Sequence, residues 1–195
     1  MIFHYAKCQT PIDAAEASEL IPPLETQSQL NEWEQENIIH GREWAFSKRV
    51  IKQLDLLSES CLLKIHEKMF GETWKWAGHF RKTEKNIGVP SYRIVADLKN
   101  LLDDARYWLE RKTFEPDELA VRFHYRVVQI HLFPNGNGRH ARLVADLLAV
   151  QLGRPIFSWG SADLTQVGDA RQRYLNALQS ADHGDYGPLV EFSRS

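Results

Sequence analysis

The 195-residue sequence has few features that would place it in a membrane or among disordered proteins. Two cysteines, Cys8 and Cys61, allow at most one disulfide bridge, and no signal-peptide pattern is present. Apolar runs fall far below the roughly 18 to 20 residues that a membrane-spanning helix needs. Internal repeats and low-complexity tracts are also absent, while 43% of the residues are hydrophobic, which is enough to bury a core. We therefore expect a folded, cytoplasmic protein without a membrane span.

Net charge is small as well, at −2 from 24 Lys+Arg and 26 Asp+Glu. This balance argues against a protein that mainly coats nucleic acid or an anionic membrane. The charge is nevertheless uneven, because residues 1–50 carry four basic and eight acidic side chains, whereas residues 51–195 have a net charge of +2. We expect one structural domain in which residues 1–50, an arm and a helix, pack on a core formed by residues 51–195.

Most apolar residues recur at helical spacing, which predicts an all-α fold. Thr26 and Gln29 fit a capping box that opens a helix of about residues 27–46, after an irregular arm over residues 1–25. Further helices are predicted at 98–109, 116–130 and 143–150, and within 50–70 with a break near 58–60. A later helix is predicted to begin at a cap formed by Ser161 or Asp163 and to end at residue 178, and a last short helix is predicted after Asp185. Residues 74–92 lack helical spacing and contain turn-forming residues, so they favour a short β-hairpin or an extended loop.

One break between two apolar helices differs from an ordinary connection. It reads His131-Leu-Phe-Pro-Asn-Gly-Asn-Gly-Arg-His-Ala-Arg142. A glycine-bearing loop that opens a helix offers unpaired N–H groups and the positive end of the helix dipole to an anion. Arg139 and Arg142 lie three residues apart and can face the same anion, which favours a polyphosphate. His131 is a candidate proton acceptor. A plain turn beside a helix-capping histidine is the alternative interpretation.

This run resembles the signature of the Fic (Fido-fold) family, His-x-Phe-x-(Asp/Glu)-Gly-Asn-(Gly/Lys)-Arg-x-x-Arg, and departs from it only at Asn135. Trp76-Ala-Gly-His-Phe-Arg81 is similar to the family's run into its flap, and the helices to about residue 181 fit its core. The resemblance implies a Fido-type helical bundle with a small β-hairpin flap over residues 51–195. Asn31-Glu-Trp-Glu-Gln-Glu-Asn37 further resembles the bacterial subgroup called mobile mystery protein B.

The resemblance implies a protein adenylyltransferase, which moves AMP from ATP to a Ser, Thr or Tyr hydroxyl of a target protein. His131 would be the general base. The other residues with an implied catalytic role are Asn137, Arg139 and Arg142. The residues implied to bind the nucleotide are Gly136, Asn137, Gly138, Arg139, Arg142 and Tyr174, although Tyr174 fits a core aromatic equally well. Gly138 favours nucleotidyl transfer, since family members that phosphorylate carry Lys at that position.

Asn135 bears on the metal ion. The family usually has a carboxylate at this position that ligates Mg²⁺, and an amide oxygen brings no charge, so we expect Asn135 to bind Mg²⁺ more weakly. A second function therefore stays open, namely a regulatory or toxin-like nucleotide-binding module with little turnover. Direct DNA binding is a weaker third possibility, because no basic stripe or helix-turn-helix pattern stands out. Any DNA contact is expected from a small helix-turn-helix partner instead.

Regulation by the acidic helix at 27–46 is a further implication of the resemblance. Many Fic proteins have an inhibitory helix with the pattern (Ser/Thr)-x-x-x-Glu-(Gly/Asn), whose Glu pairs with the second arginine of the signature. Glu32 is preceded by a suitable Ser28, whereas Glu36 is followed by a suitable Asn37. Because Asn37 lies on the predicted buried stripe, we expect Glu36 to pair with Arg142, with Glu32 as the alternative.

The segment 84–92, called the flap below, is expected to bind the target. In the family this segment pairs with an extended stretch of the target protein, and such β-augmentation uses main-chain hydrogen bonds that require little side-chain identity. The residues expected to make this contact are Asn86, Ile87, Gly88 and Val89. A plain surface hairpin is the simpler interpretation of the same residues, and self-association is left open.

Overall fold

The computed structural model describes residues 10–161, 164 and 168–195. Within this part, the α-helices are α1 (Ala14–Ala17), α2 (Gln27–Phe46), α3 (Glu59–Phe70), α4 (Ile94–Arg111), α5 (Pro116–Ile130), α6 (Asn137–Gln151), α7 (Asp169–Asp182) and α8 (Gly187–Arg194). Single 3-10 turns lie at Ser91–Arg93 and Trp159–Ser161. The predicted all-α class is confirmed. No helix among the described residues is both long enough and apolar enough to cross a bilayer.

The helix starts follow local capping chemistry. At α2, Thr26 and Gln29 form the predicted capping box, with each side chain accepting from the other's backbone N–H. At α3, the Ser58 hydroxyl accepts from Cys61 N, and residues 50–57, which we expected to be helical, form turns instead. In the arm, Asp13 caps the short helix α1, which the sequence did not predict.

Two sequence predictions fall partly outside the described residues. Cys8 and Asp163 are not described, so neither a disulfide of Cys8 nor a cap by Asp163 can be placed. Cys61 is a buried free thiol whose pKa is raised to about 11, chiefly by burial. Helix α7 begins at Asp169, and Ser161 lies in a separate 3-10 turn before it.

Helices α5 and α6 form the centre of the core and position the candidate site. Pro116 occupies the first turn of α5, where its missing N–H costs nothing. His131 ends α5 with a φ of +60°, and Gly136 precedes α6 with a φ of +78°. The buried faces of the two helices pack together, including Phe123, Val127 and Ile130 on α5 and Leu143, Val144 and Leu147 on α6. Because only six residues separate the helices, the end of α5 lies beside the N-terminus of α6.

Helix α2 is fastened to α3 by two close contacts. The Asn37 amide donates to Lys68 O at 3.4 Å and accepts from Glu72 N at 3.1 Å. Gly41 faces the same helix so closely that a Cβ there would lie 2.6 Å from Lys68 O. Backbone groups therefore hold α2 at a fixed register over the core, and this register decides which acidic side chain of α2 points inward.

The flap does not form the expected β-hairpin. The only β-type pairing among the described residues is an isolated bridge between Leu20 and Trp74. One backbone hydrogen bond joins the flap to the end of α5 instead, from Val89 N to Ile130 O at 3.4 Å. Gly88 has a φ of +104°, a left-handed conformation that interrupts an extended strand. Residues 84–92 are therefore a loop clamped against α5.

Candidate active site

His131 lies at the centre of the site and is buried, with 4% of its surface exposed. Its backbone is held in the left-handed conformation, and its carbonyl accepts from Arg81 Nε at 2.7 Å. Burial, helped by the positive charges of Arg81 and Lys85, lowers the pKa of His131 to about 4. The imidazole is therefore neutral at pH 7 and has a lone pair that can accept a proton.

A second buried histidine, His66, fixes the loop between α5 and α6. Its ring stacks on Phe133 with centroids 3.6 Å apart. Its Nδ1 accepts from Gly78 N at 3.0 Å, which leaves Nε2 to donate to Asn135 O at 3.1 Å. Burial holds the pKa of His66 well below its usual value, so this neutral arrangement persists at pH 7. Phe133 is fully buried and anchors the loop in the core, whereas His66 carries no motif that would have identified it.

The N-terminus of α6 borders open space. Gly136 packs on the ring of Phe70, where a Cβ would lie 2.6 Å from a ring carbon. The Asn137 side chain accepts from Phe133 N at 2.9 Å and donates to Phe133 O at 2.7 Å, so it braces the loop from within. A Cβ on Gly138 would meet only Arg142 Nη1, at 3.6 Å. This open end of the helix has the free N–H groups and dipole that attract an anion.

The two arginines of the motif have different surroundings. Arg139 Nη1 donates to Glu34 Oε2 at 2.7 Å, and its guanidinium lies 4.8 Å from the ring centroid of Phe70. Arg142 lies over the ring of Tyr174 at 5.6 Å. Across residues 10–161, 164 and 168–195, no carboxylate lies within salt-bridge distance of Arg142. The carboxylate of Glu34 on α2 therefore forms an ion pair with Arg139 and does not contact Arg142.

The structure corrects the choice of the acidic residue. Glu36 is exposed and does not reach Arg142, and Glu32 is exposed and accepts from Ser28 Oγ at 3.2 Å. Glu34 is buried instead, with its second oxygen accepting from Trp74 Nε1 at 2.7 Å. The buried stripe of α2 consists of Leu30, Glu34, Asn37, Gly41 and Ala45. The sequence signal for the burial of Glu34 is its position three residues before Asn37, on the same face of the helix.

Asn135 does not present a metal ligand. Its Oδ1 accepts from Gly136 N at 2.6 Å and from Arg139 Nη2 at 3.3 Å, while its Nδ2 donates to Thr10 O at 3.0 Å. The oxygen that we expected to bind Mg²⁺ is thus engaged by two donors. No group of three or more His, Cys, Asp or Glu side chains with metal-binding geometry exists among the described residues. The residues present do not fit a protein-held metal.

Tyr174 belongs to the core beneath the site. It is 6% exposed, and its hydroxyl lies 3.1 Å from His124 Nε2. Burial lowers the pKa of His124 to about 3, which keeps this pair neutral. Of the two interpretations left open for Tyr174, this geometry favours the core aromatic that supports Arg142 from below.

The flap and the N-terminal arm meet over His131. A Cβ on Gly88 would lie only 2.5 Å from His131 Cβ, so the flap has no room for a side chain at that point. Val89 is partly buried, whereas Asn86 and Ile87 are exposed. Arg81 fastens the flap, since its guanidinium donates to Val89 O as well as to His131 O. The arm completes the cover, with Thr10 Oγ1 lying 3.0 Å from His131 Nε2.

Comparison with known proteins gives a consistent result. The sequence model of the Fic/DOC family matches residues 56–149. Protein adenylyltransferase Fic of Aedes aegypti is 29% identical over 147 residues, which cover 73% of this chain and 28% of that protein. Protein adenylyltransferase fic-1 of Caenorhabditis elegans is 30% identical over 150 residues, covering 72% of this chain and 27% of that protein. The match thus spans just over a quarter of the length of these curated relatives.

Solved structures extend the similarity to nearly the whole chain. A fragment of C. elegans Fic-1 superposes with a TM-score of 0.64 at 26% identity, covering 91% of this chain and 51% of the other. BepC of Bartonella tribocorum, solved with bound AMPPNP, has a TM-score of 0.70 at 17% identity and covers 93% of this chain and 97% of the other. The latter shows the shared fold alone.

Proposed function

Since the chain belongs to the Fic/DOC family, we propose that it is a protein adenylyltransferase that transfers AMP from ATP to a Ser, Thr or Tyr hydroxyl. One observation carries the proposal. The neutral imidazole of His131 has its Nε2 within hydrogen-bond distance of an aliphatic hydroxyl, and it lies one short loop from an open helix N-terminus. A proton acceptor, an alcohol and an anion site are the three parts that this transfer requires.

In the proposed reaction the hydroxyl oxygen attacks the α-phosphorus of ATP. The bond between that phosphorus and the bridging oxygen to the β-phosphate breaks, pyrophosphate leaves, and the hydroxyl proton passes to His131 Nε2. The backbone N–H groups of Asn137 and Gly138 stabilise the charge on the transferred phosphate, since the N–H of Gly136 donates to Asn135 Oδ1. Arg142 binds the departing phosphates. Asn137 acts as a positioning residue, because its side chain is consumed in bracing Phe133.

The nucleotide is proposed as ATP because the named relatives are adenylyltransferases. Since Asn135 does not fit a metal ligand, the protein's share of charge neutralisation rests on the arginines and the helix end. The absence of a side chain on Gly138 leaves space for the phosphates at that point.

The target segment is proposed to lie along the flap. The exposed residues Asn86 and Ile87 directly precede Gly88, the flap residue that packs against His131. Both backbone groups of Val89, in contrast, are already engaged, by Ile130 O and by Arg81. The chain's own arm follows the same loop, with Lys85 Nζ donating to Pro11 O at 3.1 Å. A target segment that docks there would bring its hydroxyl to the position that Thr10 occupies.

Transfer of AMP is tested with two forms of labelled ATP. The protein is incubated with a soluble protein extract and ATP labelled either on the α-phosphate or on the γ-phosphate. We expect protein-bound label from α-labelled ATP only, and none from His131→Ala. Label from the γ-phosphate would identify a kinase and would contradict the proposal.

Control by α2 is proposed to act through Glu34. Its carboxylate holds Arg139 at 2.7 Å in a half-buried contact, where it competes with a nucleotide phosphate for the same guanidinium. Replacing Glu34 by Gln keeps the shape and an acceptor for Trp74 but removes the charge. We expect this variant to bind ATP more tightly, with Glu36→Gln and Glu32→Gln as exposed controls on the same helix.

A nucleotide-binding module with little turnover is the second candidate. The observation that favours it is the engaged oxygen of Asn135, which leaves the site without a protein ligand for a metal ion. The distinguishing experiment is ATP binding measured beside transfer in Glu34→Gln. Saturable binding without any transferred AMP would favour the module over the enzyme.

A further inference from the structure

The hydroxyl next to His131 belongs to the chain itself. Thr10 is 7% exposed, and its Oγ1 lies 3.0 Å from His131 Nε2 across 121 residues of sequence. In the neutral tautomer that carries its proton on Nδ1, Nε2 accepts the Thr10 proton. A buried threonine beside a neutral imidazole has the arrangement of a nucleophile with its general base.

The backbone of Thr10 is fixed by the motif loop. Asn135 Nδ2 donates to Thr10 O at 3.0 Å, and Asn135 directly precedes the glycine that opens α6. The threonine is thus held between the imidazole of His131 and the loop that leads into the proposed phosphate site. Asn135 therefore fixes the backbone of Thr10, while the Thr10 hydroxyl lies against His131 Nε2.

The residues that follow Thr10 are anchored to the segment that leads into the flap and to the flap itself. Lys85 Nζ donates to Pro11 O at 3.1 Å and pairs with the carboxylate of Glu16 at 2.5 Å, and its side chain is only 4% exposed. Thr83 Oγ1 donates to Glu16 Oε1 at 3.1 Å. The arm thus occupies the course along the flap that we propose for a target segment.

On these grounds we propose that Thr10 is an intramolecular acceptor of AMP, a modification site built into the arm. This inference rests on the proposed function. Thr10 Oγ1 attacks the α-phosphorus of ATP, the proton passes to His131 Nε2, the bond to the β-phosphate breaks, and pyrophosphate is released. The bulk and charge of the resulting phosphodiester cannot remain in the buried space beside His131. Modification therefore displaces the arm and opens the flap to another protein.

The first test is mass spectrometry of the full chain after incubation with ATP, followed by mapping of the modified peptide. We expect one AMP on Thr10, retained in Thr10→Ser and lost in Thr10→Val. Ser18→Ala is the matched control, because Ser18 lies in the same arm but its hydroxyl donates to Ala15 O. The fraction modified per unit time is expected to be independent of protein concentration, and a rate that rises with concentration would overturn the intramolecular step.

A second variant tests the anchoring of the arm. Lys85→Met removes the hydrogen bond to Pro11 and the ion pair with Glu16, while Lys85 itself makes no hydrogen bond to His131 or Thr10. We expect slower modification of Thr10 and faster labelling of other proteins in an extract. Unchanged modification of Thr10 would contradict the role given to the arm.

The outcomes separate this inference from the proposed function. If AMP appears on extract proteins in a His131-dependent manner while Thr10 stays unmodified, the assignment of Thr10 is wrong and the enzyme assignment stands. Faster labelling of extract proteins by Thr10→Val, with no AMP on Thr10 in the unmutated chain, would show the arm to be a blocking segment and would also overturn the inference. Absence of label on Thr10 and on every extract protein contradicts both.

Discussion

The two ends of the motif from His131 to Arg142 are held by the same acidic N-terminal region in different ways. At the His131 end the contact is a neutral hydroxyl, Thr10 Oγ1, at 3.0 Å. At the arginine end the contact is a charged carboxylate, Glu34 Oε2, which lies 2.7 Å from Arg139 Nη1. The first group resembles a substrate in its chemistry, whereas the second resembles the phosphate that the site would bind.

The difference assigns separate tasks to the two ends. A hydroxyl beside a general base can be consumed by the reaction, so the His131 end governs the chemical step. A carboxylate on a guanidinium must be displaced before a phosphate binds, so the Glu34 contact governs nucleotide affinity. Variants at one end should therefore change the rate of transfer, and variants at the other should change the concentration of ATP that is needed.

The largest effect is expected from His131→Ala. Loss of a general base removes roughly 10²- to 10⁴-fold from a transfer rate. We expect the labelling rate to fall by at least about 100-fold while ATP binding stays within about twofold, measured by label incorporation and by calorimetry. Equal losses of ATP binding and of AMP transfer would show that His131 also contributes to nucleotide affinity, against the separation of the two ends of the motif. A thermal unfolding curve verifies that the variant is folded.

Arg81→Met should destabilise the backbone around His131 and leave the contact between Arg139 and Glu34 unchanged. The buried guanidinium donates to the carbonyls of His131, Val89 and Thr83, which the variant leaves unpaired. We expect a loss of about 3 kcal/mol in the free energy of unfolding, measured in urea. Arg93→Met, which removes an exposed pair with Asp97, is the control and should have a much smaller effect. Equal losses in the two variants would refute the clamp.

Glu34→Gln tests the arginine end of the motif, where Glu34 pairs with Arg139. Removing the charge that competes for Arg139 is expected to tighten ATP binding by roughly tenfold, an effect of the size of one half-buried ion pair. Calorimetric titration measures it, with Glu36→Gln expected to match the unmutated chain because Glu36 is exposed. Tighter ATP binding in Glu36→Gln, with no change in Glu34→Gln, would show that Glu36 is the controlling residue, as the sequence predicted.

The smallest expected effect is the response of His131 to pH. Its pKa is lowered to about 4, mainly by burial. The imidazole of the folded protein therefore stays neutral at pH values above and below 6.5, the approximate pKa of an ordinary histidine. The ring signals of His131 in an NMR titration without nucleotide should thus stay constant from pH 8 to about pH 5. A titration midpoint near 6.5 would show that the imidazole is solvated and that the cover by arm and flap does not form.

The motif and the helices around it were predictable because their signals are local. Glycines at the start of α6, the proline that opens α5 and the capping box of α2 each act within a few residues. Glu34 was missed because its burial depends on the register of α2 on α3, which Gly41 and Asn37 set by contacts about 30 residues away in the sequence.

The flap and the arm were predicted less well for a related reason. Turn residues in the segment 84–92 indicate a bend, but its contacts to Arg81 and to the end of α5 come from residues outside the segment. The contact between Thr10 and His131 joins residues 121 positions apart, and no local pattern carries it. The subgroup resemblance and the binding of a helix-turn-helix partner stay predictions.

The most direct test of the division between the two ends is the rate of AMP transfer as a function of ATP concentration. The account predicts that Glu34→Gln lowers the half-saturating concentration of ATP, whereas His131→Ala reduces the maximal rate to background. An unchanged half-saturating concentration in Glu34→Gln, or a maximal rate retained in His131→Ala, would contradict it.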